Sequence, residues 1–191
     1  MFKKGKKQIG QTRLAKSSLM DGRQVAFHKS KTIIADHSFA PGAKKVGRVP
    51  LPGESVHIVT RRSINSFDFI LRLLKDGDIA EMYLAFYRIG KKTTGQLINL
   101  IKAGRISDVT IVINDGLRKL IPESYSMIVE SGLFKIKECN NHTKIIACKM
   151  KGGYYVVEGS GNLSINARVE QYSFVNSKEL YGFHKKWMKE I

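Results

Sequence analysis

Apolar residues occur in several short runs that have the composition of β-strands. From residue 56 onward these runs are rich in β-branched and aromatic residues, which favour the half-buried or buried surface of a sheet. The predicted strands are Val56 to Thr60, Ile79 to Ile89, Asp108 to Ile113, Phe134 to Glu138 and Tyr154 to Glu158.

Between these strands the apolar residues recur at the spacing of amphipathic helices. One helix is predicted through Phe67, Ile70, Leu71 and Leu74 to a stop at Gly77; a second from a cap at Thr93 or Thr94 through Leu97, Leu100 and Ile101 to Gly104; a third from Leu117 to Glu130, with Pro122 near its first turn and Gly132 closing it; and a fourth from Ser177 to Ile191. Strands that alternate with helices predict an α/β fold, with helices on both faces of a sheet.

The N-terminal segment differs from the rest of the chain. Residues 1–55 contain 12 Lys and Arg against 3 Asp and Glu, and Pro and Gly interrupt them. We therefore predict two parts: a basic N-terminal arm and linker over residues 1–54, and a folded domain over residues 55–191. The arm has room for a short hairpin, and its linker is placed near Arg48 to Glu54.

The formal net charge is +17 on 191 residues. A charge of this size favours partners that carry phosphates, meaning nucleic acid or an anionic lipid surface. The alternative is a basic protein whose lysines only keep it in solution.

The segment from His142 to Asn162 contains the candidate chemistry. His142 and Lys144 are two residues apart, so on an extended strand their side chains leave the same face. The strand that follows ends in Gly-Ser-Gly-Asn, in which Ser160 and Asn162 again share a face, and Glu170 comes eight residues later. An imidazole can form a covalent bond to phosphorus, and a lysine charge with fixed donors stabilises a developing oxyanion. These residue types suit attack on a phosphodiester.

The pattern His-x-Lys followed by Gly-Ser-x-Asn resembles the phospholipase D superfamily, and is closest to its small, single-motif, nuclease-like members. The resemblance extends over roughly residues 55–191 in the order of elements. It implies a phospholipase D-like fold, a mixed β-sheet flanked by helices. It also implies that His142 is the nucleophile, that Lys144, Ser160 and Asn162 hold the phosphate, and that Glu170 orients His142.

Other positions bear on this resemblance. The family usually has Asp five residues after the motif lysine, and here that residue is Lys149. A second His-x-Lys begins at His184, but only five residues follow it, so no Gly-Ser-x-Asn can come after; we interpret it as a basic helix face. Tyr87 and Arg88, at the end of a predicted strand, are further candidates for the lining of a substrate groove.

Proteins that resemble this family use two His-x-Lys motifs at one site. Because this chain has one convincing motif, we expect a two-fold homodimer that brings two copies of His142 together. The functional hypothesis is a metal-independent phosphodiesterase acting on nucleic acid, an endonuclease-like hydrolase of DNA that works without a cofactor through a phosphohistidine intermediate. The alternatives are a nucleic-acid-binding module whose site has decayed and a phospholipid headgroup hydrolase.

Cysteine content and hydropathy bear on the compartment. Cys139 and Cys148 flank His142, but their spacing matches no common zinc site, and two cysteines do not form a disulfide framework. No apolar run has the length of a transmembrane helix, and the basic N-terminus leads into no apolar segment. We expect a cytoplasmic protein without a secretory signal or stable membrane association.

Overall fold

A computed structural model describes residues 31–36, 46–61, 64–164 and 168–191, with the backbone alone for 31–36 and for residue 61. The strands are β1 (Lys31–Asp36), β2 (Glu54–Arg61), β3 (Ile79–Phe86), β4 (Ile106–Asn114), β5 (Lys135–Cys139), β6 (Lys144–Met150), β7 (Gly153–Gly159) and β8 (Val169–Asn176). The helices are α1 (Ser66–Leu73), α2 (Lys91–Lys102), α3 (Leu117–Leu120), α4 (Pro122–Ser131) and α5 (Lys178–Glu190).

The strands described form one mixed sheet in the order β1-β2-β8-β7-β6-β3-β4-β5. β1 is parallel to β2, and β3, β4 and β5 are parallel to one another, whereas the other neighbours are antiparallel. As a result, β2, β3, β4, β5 and β7 end at the edge of the sheet where β6 and β8 begin. We call this edge the site edge.

β6 and β7 form a hairpin that links the two halves of the sequence motif. Its turn lies at residues 151–152, and its register pairs Met150 with Gly153 and Ile145 with Glu158. Both arms run the length of the sheet, so the residues before β6 and after β7 meet at the site edge.

Two apolar layers cover the two faces of the sheet. One lies under α1, α2 and α4 and includes Leu84, Ile146 and Phe174. The other lies under α5 and includes Ala147 and Val156. Alternate residues of each strand point to opposite faces, which is why the strands with helices on both sides are apolar at nearly every position. The predicted α/β architecture, a mixed β-sheet flanked by helices on both faces, is confirmed.

Hydrogen bonds to two carboxylates of the sheet, those of Glu81 and Glu158, help to join helix α5 to it. Glu81 accepts hydrogen bonds from Lys185 at 2.8 Å and from Tyr181. The indole of Trp187 donates to His184 Nδ1 at 2.9 Å, so Nε2 holds the ring proton and donates to Glu158 at 2.7 Å. His184 is 3% exposed, and its prediction as part of a basic helix face is wrong.

Two details of the predicted helices are also wrong. Thr93 and Thr94 are buried inside α2, whose N-cap is Gly90. The single helix predicted from residue 117 to 130 is two helices, because Pro122 has no N–H to donate and takes the first position of α4. Gly132 ends α4 in the left-handed conformation, with φ 64°, as its position predicts.

Part of the N-terminal segment belongs to the sheet. β1 is an edge strand that pairs Ile33 with Val56 of β2. The linker predicted from Arg48 to Glu54 packs against the domain: Asn176 Nδ2 donates to the Pro50 carbonyl at 3.1 Å. Residues 1–30 and 37–45 of the predicted arm, with any hairpin in them, lie outside the described residues. The boundary at residue 54 stays a prediction.

Candidate active site

An open cleft of about 840 Å³ lies at the site edge of the sheet. Its walls are the ends of β3 and β7, the start of β8 and the turn before β6. The residues that line it are Tyr87, Arg88, His142, Thr143, Lys144, Gly159, Ser160, Asn162, Ser164, Arg168, Glu170 and Gln171. All five site residues predicted from the sequence, His142, Lys144, Ser160, Asn162 and Glu170, are among them.

His142 lies in a turn that hydrogen bonds hold in place at the cleft. The preceding residue, Asn141, is 4% exposed and donates through Nδ2 to the Val112 carbonyl at 3.2 Å. Its Oδ1 accepts from the backbone N–H of Thr143 at 2.9 Å. Asn114 in turn donates to the Asn141 carbonyl at 3.1 Å. His142 is itself exposed, so a rigid backbone holds an accessible imidazole.

Lys144, the first residue of β6, contacts His142 directly. Its Nζ lies 3.0 Å from His142 Nδ1 and also donates to the His142 carbonyl oxygen. Partial burial lowers the pKa of Lys144, while the negative charge of Glu170 acts to raise it. The Tyr87 ring lies 4.9 Å from the His142 ring, and the Lys144 ammonium lies 5.7 Å from the centre of the same Tyr87 ring. Tyr87 therefore packs against both His142 and Lys144.

The Gly-Ser-Gly-Asn turn requires both of its glycines because β8 passes very close to it. A Cβ at Gly159 would lie 2.5 Å from the Gln171 carbonyl oxygen. A Cβ at Gly161 would lie 2.9 Å from Tyr172 Cζ and closer still to the Tyr172 hydroxyl. Ser66 fixes the same turn by donating to the Gly161 carbonyl at 2.6 Å. The small residues of the motif thus bring its side chains against β8.

Ser160 and Asn162 project from this turn and are bound to neighbouring elements. The Ser160 hydroxyl donates to Glu170 Oε2 and accepts from the Gln171 N–H at 3.0 Å. Asn162 Oδ1 accepts from the Arg88 N–H at 3.1 Å, which joins the end of β7 to the end of β3. Glu170 is 8% exposed and touches Ser160 in this way; its predicted contact with His142 stays a prediction.

Several cleft residues were not singled out from the sequence. These are Thr143, Ser164, Arg168 and Gln171, which line the cleft beside the motif residues; Tyr87 and Arg88, by contrast, are predicted from the sequence. Gln171 lies on β8, a strand that the sequence pattern above does not predict, and Arg168 comes just before it. Its alternation of polar and apolar residues was the signal that could have placed them.

Lys149, which stands where the family resemblance expects Asp, and the two cysteines lie outside the cleft lining. Lys149 is exposed, five residues from Lys144 along β6, or about 17 Å at the rise of a strand. Cys148 is buried in the layer under α1, α2 and α4, whereas Cys139 packs against the layer under α5.

Among the described residues no group of three or more His, Cys, Asp and Glu is arranged to hold a metal ion. None of the helices described is long and apolar enough to cross a membrane.

Comparison with known proteins finds similarity in structure but not in sequence family. No family model matches the chain, and no curated protein does. The structure is similar to that of TrmBL2, an archaeal chromatin protein reported to show a novel mode of DNA binding, with a TM-score of 0.47 and 14% identity over 70% of this chain and 51% of that one. It is also similar to polyphosphate kinase from Porphyromonas gingivalis, with a TM-score of 0.51 and 13% identity over 70% of this chain and 24% of that one.

This chain therefore spans about half of the first of these proteins and a quarter of the second. At such low identity the likeness to polyphosphate kinase defines the fold alone. That kinase has a phospholipase D-like fold. This chain shares that fold, a mixed sheet flanked by helices.

Proposed function

We propose that this protein is a nucleic-acid phosphodiesterase of the phospholipase D type that works through a phosphohistidine. The observation that carries the proposal is the single cleft that collects His142, Lys144, Ser160, Asn162 and Glu170 from three separate segments. An exposed imidazole, a lysine ammonium and fixed polar groups at one place are what nucleophilic attack on a phosphodiester requires.

In the first step, Nε2 of His142 attacks phosphorus and a P–N bond forms while the bond from phosphorus to the leaving oxygen breaks. Attack through Nε2 requires the ring proton to sit on Nδ1. Lys144 must therefore exchange its contact with Nδ1 for a phosphate oxygen when substrate enters, and Glu170 is the expected acceptor of the Nδ1 proton. Lys144, Ser160 and Asn162 hold the non-bridging oxygens.

The leaving oxygen takes a proton from the imidazole of His142 in a second copy of the chain. The same imidazole then removes a proton from water, which attacks phosphorus, breaks the P–N bond and restores His142. The second copy is needed because His184, the other histidine in a His-x-Lys sequence, is buried and bound to Glu158 and Trp187. A two-fold dimer would bring two clefts face to face.

Nucleic acid is the substrate class that the charge of the chain favours. Arg88 and Arg168 add two guanidinium groups to the cleft lining, and the chain as a whole has a net charge of +17. Guanidinium groups match phosphate geometry, and their charge supports binding of a polyanion. DNA is the first substrate to test.

The test is incubation of purified protein with plasmid and with single-stranded DNA in EDTA. We expect cleavage without added metal. His142→Ala should abolish it, and Lys144→Ala or Asn162→Ala should lower the rate by about 10²–10³. His57→Ala is the matched control, because His57 is also exposed but lies outside the cleft, and it should cleave like the wild type.

Each outcome decides between the alternatives. Strict dependence on added Mg²⁺ or Zn²⁺, or cleavage retained by His142→Ala, would exclude the proposed mechanism. Tight DNA binding without cleavage would identify a decayed binding module. Turnover of phospholipid vesicles in place of DNA would identify a headgroup hydrolase.

A further inference from the structure

We propose that a nucleic-acid strand bound in the cleft continues along the site edge over a basic ridge formed by the turn after β3, the start of α2, and α3. The ridge consists of Arg88, Lys91, Lys92, Arg118 and Lys119. The proposal rests on the function proposed above and assigns a direction to the bound strand, from β6 across β3 toward β4.

The strand order places the ridge beside the cleft. β6, which begins at Lys144, has β3 as its neighbour, and β4 follows. Arg88 lies just past the end of β3, and α3 begins three residues after the end of β4. Adjacent strands are about 4.8 Å apart, so α3 starts about 10 Å along the edge from Lys144. One strand of a duplex has a phosphate for about every 3.4 Å of helix axis, so about 10 Å of axis corresponds to about three phosphates.

Direct contacts tie the start of α3 to the turn that holds His142. The Asp115 N–H donates to the Cys139 carbonyl at 3.0 Å, and Asn114 donates to the Asn141 carbonyl at 3.1 Å. The Gly116 N–H caps this arrangement by donating to Asn114 Oδ1 at 2.8 Å. The turn before His142 and the turn before α3 therefore form one packed unit.

Ion pairing is less frequent on the ridge than at the opposite edge of the sheet. At the opposite edge Arg48 pairs with Glu54, Arg72 with Asp76, Arg105 with Asp78 and Lys135 with Asp108, while Lys75 and Lys151 are exposed and form no ion pair with a carboxylate of the described residues. On the ridge, Arg88, Lys92, Arg118 and Lys119 are exposed and form no ion pair with any carboxylate of the described residues.

Only weak negative charge opposes the ridge. Lys91 pairs with Glu123 at 3.1 Å, but both side chains are 64% exposed, so the pair is worth little and a phosphate can displace it. Asp115 is the acidic residue nearest to Arg118 along the chain. Glu138, which accepts from the Tyr125 hydroxyl at 3.0 Å, adds a third carboxylate near Arg118. The five cations thus outnumber three carboxylates and leave a net positive surface that continues from the cleft.

The chemistry of the ridge fits nucleic acid better than a membrane. Leu120 is its one strongly exposed apolar side chain among the residues described, at 43%. Single exposed leucines are ordinary on protein surfaces, whereas a membrane-bound face needs a broad apolar stripe beside the charges. A row of cations without such a stripe binds a polyanion by neutralising its phosphates.

The test compares two double charge reversals. Arg118→Glu with Lys119→Glu changes the ridge, and Lys75→Glu with Lys151→Glu makes the same change in net charge with two exposed lysines of the opposite edge. Affinity for a fluorescent 20-nucleotide single strand is measured by anisotropy over a range of salt. We expect the ridge variant alone to bind weakly and to lose about 1.4 from the slope of log affinity against log salt, about 0.7 for each phosphate contact.

A thermal melt establishes that each variant folds, and Arg118→Gln with Lys119→Gln replaces the reversal if it does not. Equal losses in both pairs, or no loss in the ridge pair, would overturn the ridge. So would a loss of binding to phosphatidylserine vesicles without a loss of binding to the oligonucleotide. A wild type that binds through the ridge but cleaves no DNA would refute the proposed enzyme and leave the ridge standing.

Discussion

Replacing Gly161 by Ala tests how the glycine turn places the reactive groups. The new Cβ would lie 2.9 Å from Tyr172 Cζ and closer to the Tyr172 hydroxyl, whereas carbon atoms in ordinary contact are about 3.5–4.0 Å apart. Tyr172 is 3% exposed and packs against Phe69 with ring centroids 4.9 Å apart, so its ring has little room to move. The turn must therefore move, by about 1 Å.

That movement acts on residues on both sides of the substituted position. Asn162 would be drawn away from the Arg88 N–H, and the bond from Ser66 to the Gly161 carbonyl would lengthen. A misplacement of about 1 Å can lower an enzymatic rate about 10²-fold. Overpacking of this kind also destabilises the fold by about 1–3 kcal/mol. We expect both effects in Gly161→Ala.

The assays are turnover of a DNA oligonucleotide and the midpoint of thermal unfolding. Gly182→Ala is the matched control, because a Cβ at Gly182 in α5 meets nothing within 4 Å. Alanine favours a helix interior over glycine by about 0.5–1 kcal/mol, so this control should be active and slightly more stable than the wild type. A Gly161→Ala protein with wild-type turnover and stability would refute the close packing of the turn on β8.

Three further predictions address assembly, acid stability and the basic arm. Mixing wild type with excess His142→Ala should lower activity beyond simple dilution, because a mixed dimer has one of the two required imidazoles; light scattering should find a dimer, and a fully active monomer would reject the shared site. Burial raises the pKa of Glu81, but hydrogen bonds from Lys185 and two tyrosines outweigh burial and lower the pKa from 4.5 to about 2. The stabilising effect of the Glu81 carboxylate is therefore complete above pH 4.5 and is lost as the pH falls through 2. Glu81→Gln should flatten the dependence of the melting temperature on pH over this window, and an unchanged dependence at acid pH would contradict the assignment. Deleting residues 1–30, which hold eight Lys and Arg against one Asp, should flatten the salt dependence of DNA binding while turnover of a short substrate at saturation stays the same; loss of that turnover would place the segment in the site or the dimer interface.

The deletion ends at residue 30 because the next residues form β1, a strand that the sequence does not predict. The run from Thr32 to Ala35 is a short apolar stretch in a basic segment, with no local signal stronger than its composition. It becomes a strand because β2, more than 20 residues later, offers a free edge for pairing. A deletion that ends at Arg48 would remove this strand, whereas one that ends at residue 30 leaves it in place.

The candidate site followed from the sequence more readily than the order of the strands. The parity of His142 with Lys144 and of Ser160 with Asn162 depends on local geometry, and those side chains do line one cleft. Side-chain parity does not reveal that β6 pairs with β3, and that pairing brings Tyr87 and Arg88 to the cleft. The strand β8 has only a weak signal in the sequence, because Gln171 and Ser173 make it less apolar than a strand covered on both faces.

The hairpin of β6 and β7 couples the reactive groups to a turn at the far side of the molecule. Its arms are equal in length, from Ile145 to Met150 and from Gly153 to Glu158. The length of a hairpin turn helps to set the register of its arms, and a one-residue slip of one arm would turn each of its side chains to the other face of the sheet. Surface turns usually tolerate insertions. This turn, about 17 Å or more from the cleft by strand rise, therefore bears on the register that brings His142 and Ser160 to the same edge of the sheet.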